Sequence, residues 1–118
     1  MLKMANQAAT RGREVCGLIV NVGCCIKLAQ VRNVGKKYGG FMFLPKDVRA
    51  VIQAAHLLES EIVGTFHSHP FSGAVPSKAD IENAVNDSLM LIISIPDHQT
   101  KLWRIHDLRA DELKYVLK

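Results

Sequence analysis

Long apolar runs are missing from this 118-residue chain. A bilayer-spanning helix needs about 20 apolar residues in a row, and the longest run here, Leu89–Ile95, is only strand-sized. The first twelve residues lack the apolar stretch of a signal peptide. These two absences predict a cytoplasmic protein with no membrane partner. Cysteine is scarce as well. Three cysteines, an odd number, make no framework for a secreted disulfide scaffold, and no C-x-x-C zinc site is present. Cys16 reads as core. Cys24 and Cys25 are adjacent, so one of them should face outward and be open to oxidation. Dense positive charge is missing too. The net charge is +4, and Arg11, Arg13, Lys36, Lys37, Arg104 and Arg109 are scattered with no aromatic-interleaved stripe. That pattern argues against nucleic-acid binding, while a mildly basic surface suits an acidic protein substrate. There are no repeats, linkers or low-complexity tracts. With 48% apolar and 22% charged residues, the composition is that of an ordinary globular protein, and the length suits one domain over 1–118 with a single core.

The order of patterns along the chain predicts an α/β fold. Leu2, Ala5 and Ala9 give residues 1–10 a weak amphipathic helical character. Glu14–Asn21 reads as a buried strand, Gly23 as a turn and Cys24–Val31 as its hairpin partner. Gly35, Gly39 and Gly40 mark a loop, and Phe41–Leu44 a short strand. Pro45–Ser60 is the clearest helix, started by Pro45 and Asp47, with Val48, Val51, Ile52, Ala55 and Leu58 as its apolar face. His56 lies off that face. Glu61–His69 is a strand, Phe71–Pro76 a loop, and Ser77–Ser88 a helix turning Ile81, Ala84 and Val85 inward. Leu89–Ile95 reads as a central strand buried on both faces. Lys101–Asp107 alternates, with Leu102, Arg104 and His106 opposite Trp103 and Ile105. The last ten residues suggest a helical turn and then a strand. His98 and His106 read as surface residues.

The chemistry concentrates between Gly64 and Asp80. His67 and His69 are two apart on a strand, so both imidazoles point to one face. Asp80 follows eleven residues after His69. Two imidazoles and a carboxylate are three ligands of the kind zinc accepts, and three protein ligands with an open position make a catalytic rather than a structural site. Plainer readings exist. Paired histidines on a half-exposed strand are usually polar surface. Ser77-Lys78-Ala79-Asp80 also fits a helix-start capping box. Cap and ligand are compatible, because Asp80 in a first turn can still face the histidines. Pro70 and Pro76 restrict the loop between them. A cysteine nucleophile paired with His67 is a weaker alternative. Glu14, taken from the residues alone, reads as a solvated charge beside Arg13.

Taken together, Glu14, His67-Ser68-His69-Pro70 and Pro76-Ser77-Lys78-Ala79-Asp80 resemble the JAMM motif of the MPN-domain metalloproteases. In that family a glutamate precedes H-[ST]-H-P and then P-S-x-x-D. The resemblance spans nearly the whole chain. It implies an MPN (JAMM) fold, a cytidine-deaminase-like mixed central sheet flanked by helices. It also implies one zinc ion per chain held by His67, His69 and Asp80. Glu14 would be the general base that takes a proton from water and returns it to the leaving amine, and Ser77 would donate to the developing oxyanion. The implied activity is hydrolysis of an amide after the C-terminal tail of a ubiquitin-like or sulfur-carrier protein. Two alternatives stand beside it. One is a partner-binding scaffold without catalysis, although such members typically lose ligands. The other is a metal-dependent hydrolase of a cell-wall or metabolite amide. The chain departs from the family in having only thirteen residues before Glu14. A truncated start, or an edge supplied by a partner subunit as in a homodimer, would account for that. It also has no room between Asp80 and Leu89 for a chain-gripping insertion, which argues for a minimal prokaryotic form.

Overall fold

The computed structural model describes residues 15–23, 25–33 and 43–115. Among these, six strands and two helices follow in the order β1 (Cys16–Val22), β2 (Cys25–Val31), α1 (Pro45–Leu57), β3 (Glu61–His69), α2 (Lys78–Asn83), β4 (Ser88–Ser94), β5 (Gln99–His106) and β6 (Arg109–Leu113). The strands form one mixed sheet ordered β2-β1-β3-β4-β5-β6. All neighbours are antiparallel except β3 and β4, which run parallel from Gly64↔Leu89 to His69↔Ser94. A parallel pair cannot be joined by a tight turn and needs a crossover. Here the crossover consists of the loop after His69 and α2, and this connection positions the site.

Each face of the sheet has its own core. Val15, Ile19, Phe66, Leu91, Ile93 and Leu102 cluster on one face. Ala74, Met90, Ile92 and Ile105 cluster on the other, with Ile81 and Ala84 packed over them from α2 and its C-cap. β4 feeds both clusters, as a continuous apolar run buried on two faces should. α1 lies against β2 and β3. No helix among the described residues is long and apolar enough to cross a membrane.

The hairpin, β3 and the central strand stand where the sequence places them. Cys16 is buried and Cys25 exposed. Four readings need correction. Phe43 and Leu44 are not strand. Leu44 is the extended residue before α1, since Pro45 excludes the helical conformation from its predecessor. The inward side of α1 is Val48, Val51 and Ala55, whereas Ile52 and Leu58 are 50% and 69% exposed. Ile52 flanks the buried stripe, and Leu58 lies past the last helical residue. The second helix stops at Asn83 rather than Ser88, and Val85 is exposed. Asn86 and Asp87 favour turns over helix, and Asp87 takes a φ of 62°. Finally, Arg109–Leu113 is β6 and no helical turn precedes it. Asp107 and Leu108 instead close a two-residue hairpin loop, with φ of 49° and 58°. The readings for 1–10, Glu14, Cys24, 35–40, Phe41 and Met42 lie outside the described residues.

Candidate metal centre

The site is assembled at the C-terminal end of β3. Strand alternation turns His67 and His69 to the same face, and the capping box at the start of α2 brings Asp80 over them. The Asp80 amide donates to Ser77 Oγ at 3.1 Å, while the Ser77 amide donates to Asp80 Oδ2 at 2.9 Å. The helix cap and the site therefore share one carboxylate. His67 Nε2 and His69 Nε2 are 3.1 Å apart, and each lies 3.2 Å from Asp80 Oδ2. The three atoms form a nearly equilateral triangle. Ligands at tetrahedral positions about 2.0–2.1 Å from zinc would lie about 3.3 Å apart, so the triangle has the size of a zinc face.

Hydrogen-bond chemistry makes the same point. His69 Nδ1 is 2.7 Å from the carbonyl of Gly73, and a carbonyl only accepts, so Nδ1 carries a proton. In neutral His69 the Nε2 lone pair then faces the carboxylate oxygen of Asp80, acceptor against acceptor. The arrangement calls for a positive charge at its centre, either a second proton on His69 or a metal ion. Burial, the largest single influence on Asp80, would raise its pKa. The contacts with His67 and His69 and the Ser77 amide outweigh it and hold the carboxyl well below the usual range. Asp80 is thus an anion ready to ligate. His67 is wholly buried, and solvent reaches only a little of His69 and Asp80. Among the described residues this is the one His/Cys/Asp/Glu group placed to hold a metal ion.

The loop that crosses the site is held by its own backbone. Three successive carbonyls accept from side chains: Ser72 from Ser94 Oγ at 2.8 Å, Gly73 from His69, and Ala74 from Trp103 Nε1 at 2.9 Å. Orienting a ligating histidine through its second nitrogen fixes tautomer and ring together. Ser94 and Trp103 therefore support the centre, and sequence reasoning missed both. Trp103 offered one signal, since a part-buried indole needs an acceptor. The loop leaves Phe71 and Val75 at 72% and 55% exposure beside the centre. A groove of about 880 Å³ opens at Ser77 and Asp80 and runs past Asn83 and Asp87, with Leu18, Thr65 and Met90 among its lining.

The structure therefore brings His67, His69, Asp80 and Ser77 together, and Glu14 lies outside the described residues. Residues 2–106 match the family of prokaryotic homologs of the JAB domain, Prok-JAB. The chain belongs to that family. The JAB domain is also similar to the solution structure of protein DSY2949 from Desulfitobacterium hafniense, with a TM-score of 0.85 at 26% identity over 100% of this chain and 86% of the other. It shares its fold with the solution structure of a protein from Salinibacter ruber, with a TM-score of 0.59 at 21% identity over 98% of this chain and 86% of that one. No curated protein matches this JAB domain by sequence. The six-stranded mixed sheet and the His-His-Asp cluster are what the family leads one to expect of a JAB domain that retains a metal site.

Proposed function

We propose that this JAB domain, a single unit over 1–118, is a zinc peptidase or isopeptidase that cuts the amide after the C-terminal tail of a ubiquitin-like or sulfur-carrier protein. The observation that carries the reading is the triangle of His67 Nε2, His69 Nε2 and Asp80 Oδ2, with sides of 3.1–3.2 Å and a His69 tautomer that turns a lone pair inward. When bound, zinc supplies a Lewis acid that makes water acidic near neutral pH. The chain supplies the rest. Glu14 takes a proton from the attacking water and passes it to the leaving amine, a role worth about 10²–10⁴-fold in general acid–base catalysis. The Ser77 amide is committed to Asp80 and its Oγ accepts from the Asp80 amide. Its hydroxyl hydrogen thus remains to be donated to the substrate oxyanion, a contact worth about 10²–10³-fold elsewhere. The groove lined by Ser77 and Asp80 offers room for an extended tail next to the centre.

Metal content tests the reading first. Purified protein should contain one zinc per chain, and the His67→Ala/His69→Ala variant none. Glu14→Gln should keep its zinc and lose all turnover of a small protein fused through a Gly-Gly tail. Absence of zinc after reconstitution at neutral pH would leave a partner-binding scaffold as the better account. A zinc protein that ignores such fusions but opens cell-wall or metabolite amides would move the substrate and keep the chemistry.

A further inference from the structure

Rows of paired residues cross the sheet beneath the groove. Cys16, His67 and Ile92 form one row over β1, β3 and β4, and this row carries a candidate ligand. Two residues earlier on β3, the next row on the same face is Leu18, Thr65 and Met90. Directly paired side chains stand on one face of a sheet, and all three residues of the second row line the groove. Strand rise separates the two rows by about 6.6 Å. Leu18 and Met90 are nearly inaccessible, at 5% and 2% exposure, while Thr65 between them is half-buried. Thr65 is therefore the point at which this part of the floor can be touched, and both its flanks are apolar.

From the helix side, α2 and the turn after it contribute Ala79, Ala84 and Val85 to the same groove. The charged residues of its described lining are Asp80 and Asp87. Asp80 is engaged with the histidines, and Asp87 with Arg104 and His106. A carboxylate entering here would meet like charge and no lining cation among the described residues, which is costly. An apolar side chain would gain from leaving water. An extended Gly-Gly pair covers about 6.6 Å, the separation of the two rows. We propose that the groove selects the residue preceding Gly-Gly in a substrate tail, that this residue is apolar, and that Thr65 is the specificity-determining residue that receives it. The choice of such tails rests on the reading of the domain as a peptidase. Ser77 and Asp80 belong to both groove and centre, so the subsite is continuous with the place of reaction.

The test uses the full chain loaded with zinc and small-protein fusions that differ only in the residue before Gly-Gly: leucine, alanine, glutamate or lysine. Relative to leucine, kcat/KM should fall about tenfold with alanine and about 10²-fold with glutamate. Thr65→Lys, checked for one zinc per chain, should improve glutamate about fivefold and weaken leucine. Binding is read separately, by titrating peptides that end in Gly-Gly and following the Thr65 and Val85 methyl signals by NMR. The leucine peptide should shift both, and the glutamate peptide should leave them in place at the same concentration. Equal kcat/KM across the series, or methyl signals that stay still while the fusions are cut, overturns the proposal and leaves the peptidase reading intact. Lysine ahead of leucine overturns it too, because Asp87 and not the apolar floor would then select. If no fusion is cut and the leucine peptide still shifts the methyl signals, the peptidase reading fails and the subsite is upheld as one that binds tails. If no fusion is cut and no methyl signal moves, both fail. Should Thr65→Lys lose zinc or fail to fold, Asn83→Lys on the exposed wall of the same groove must relieve glutamate in its place, and unchanged rejection there overturns the proposal.

Discussion

Gly64 shows how closely the strand that carries the ligands is packed. A Cβ at this position would press into the Leu89 carbonyl oxygen and lie 2.6 Å from the carbonyl carbon of the paired strand. Both are backbone atoms, so neither can rotate away. Gly64→Ala would part β3 from β4 just before the histidines. The expected cost is at least about 3 kcal/mol, at the upper end for overpacking. It should be read as a lower urea midpoint, and zinc affinity should fall with it. A midpoint within experimental error of wild type would mean that the parallel pair is looser than its geometry. At this scale the three side chains that meet were legible and the groups around them were not. His67, His69 and Asp80 carry rare side chains at a telling spacing. Ser94, Trp103 and His69 Nδ1 act on the carbonyls of residues 72–74, groups that every residue possesses and that no spacing can mark.

The elements were legible where burial sets the pattern and misread where a turn sets it. β3 and β4 follow from apolar runs, and α1 from its proline start. α2 is shorter than the expected Ser77–Ser88 because Asn86 and Asp87 favour a turn, and Arg109–Leu113 is strand where a helical turn was expected because its pairing with β5 prevails. Two predictions belong to these joints. Leu108 holds a φ of 58° in the β5–β6 loop while 72% exposed, a conformation that costs a non-glycine residue about 1–2 kcal/mol. A two-residue loop of this kind favours Asp-Gly. Leu108→Gly should therefore raise Tm, with a gain of about 1 kcal/mol in thermal or urea unfolding. The second concerns the turn between α2 and β4. Arg104 Nη2 and His106 Nδ1 each lie 3.0 Å from Asp87 Oδ1, tying that turn to the end of β5. Hydrogen bonds from Arg104 first and His106 second hold the Asp87 carboxyl below its usual pKa, against a small opposing effect of desolvation. A depressed carboxyl stabilises the fold above the unfolded value of about 3.9 and ceases to do so as pH falls through its folded value. Asp87→Asn keeps the left-handed backbone and removes the charge. It should lower Tm modestly at pH 7, the gap should close as pH falls below the unfolded value and through the folded one, and salt should shrink it because the pair is exposed. A gap independent of pH would assign the effect to shape instead.

At the scale of the whole molecule, the centre joins parts that the chain keeps separate. β3 supplies two ligands and α2 the third, and the loop between them is held by β4 and β5 through Ser94 and Trp103. The unfolded chain has no such triangle, so metal binding there would be coupled to folding. A ligand that binds only the folded state stabilises it by about 2.7 kcal/mol at a concentration one hundred times its Kd. For a domain near this size, 1 kcal/mol corresponds to about 4 °C in Tm. Zinc at that excess should therefore raise Tm by about 10 °C, and a chelator should reverse the rise. Magnesium at the same concentration should do little, since it prefers oxygen ligands in octahedral geometry and this site offers two imidazole nitrogens. His69→Ala separates metal linkage from general stability. Its Tm should sit near that of the metal-free protein and stay there when zinc is added. A zinc response that survives His69→Ala would put the ion elsewhere on the chain. A wild-type protein indifferent to zinc would mean that protonation of His69 supplies the positive charge the triangle requires.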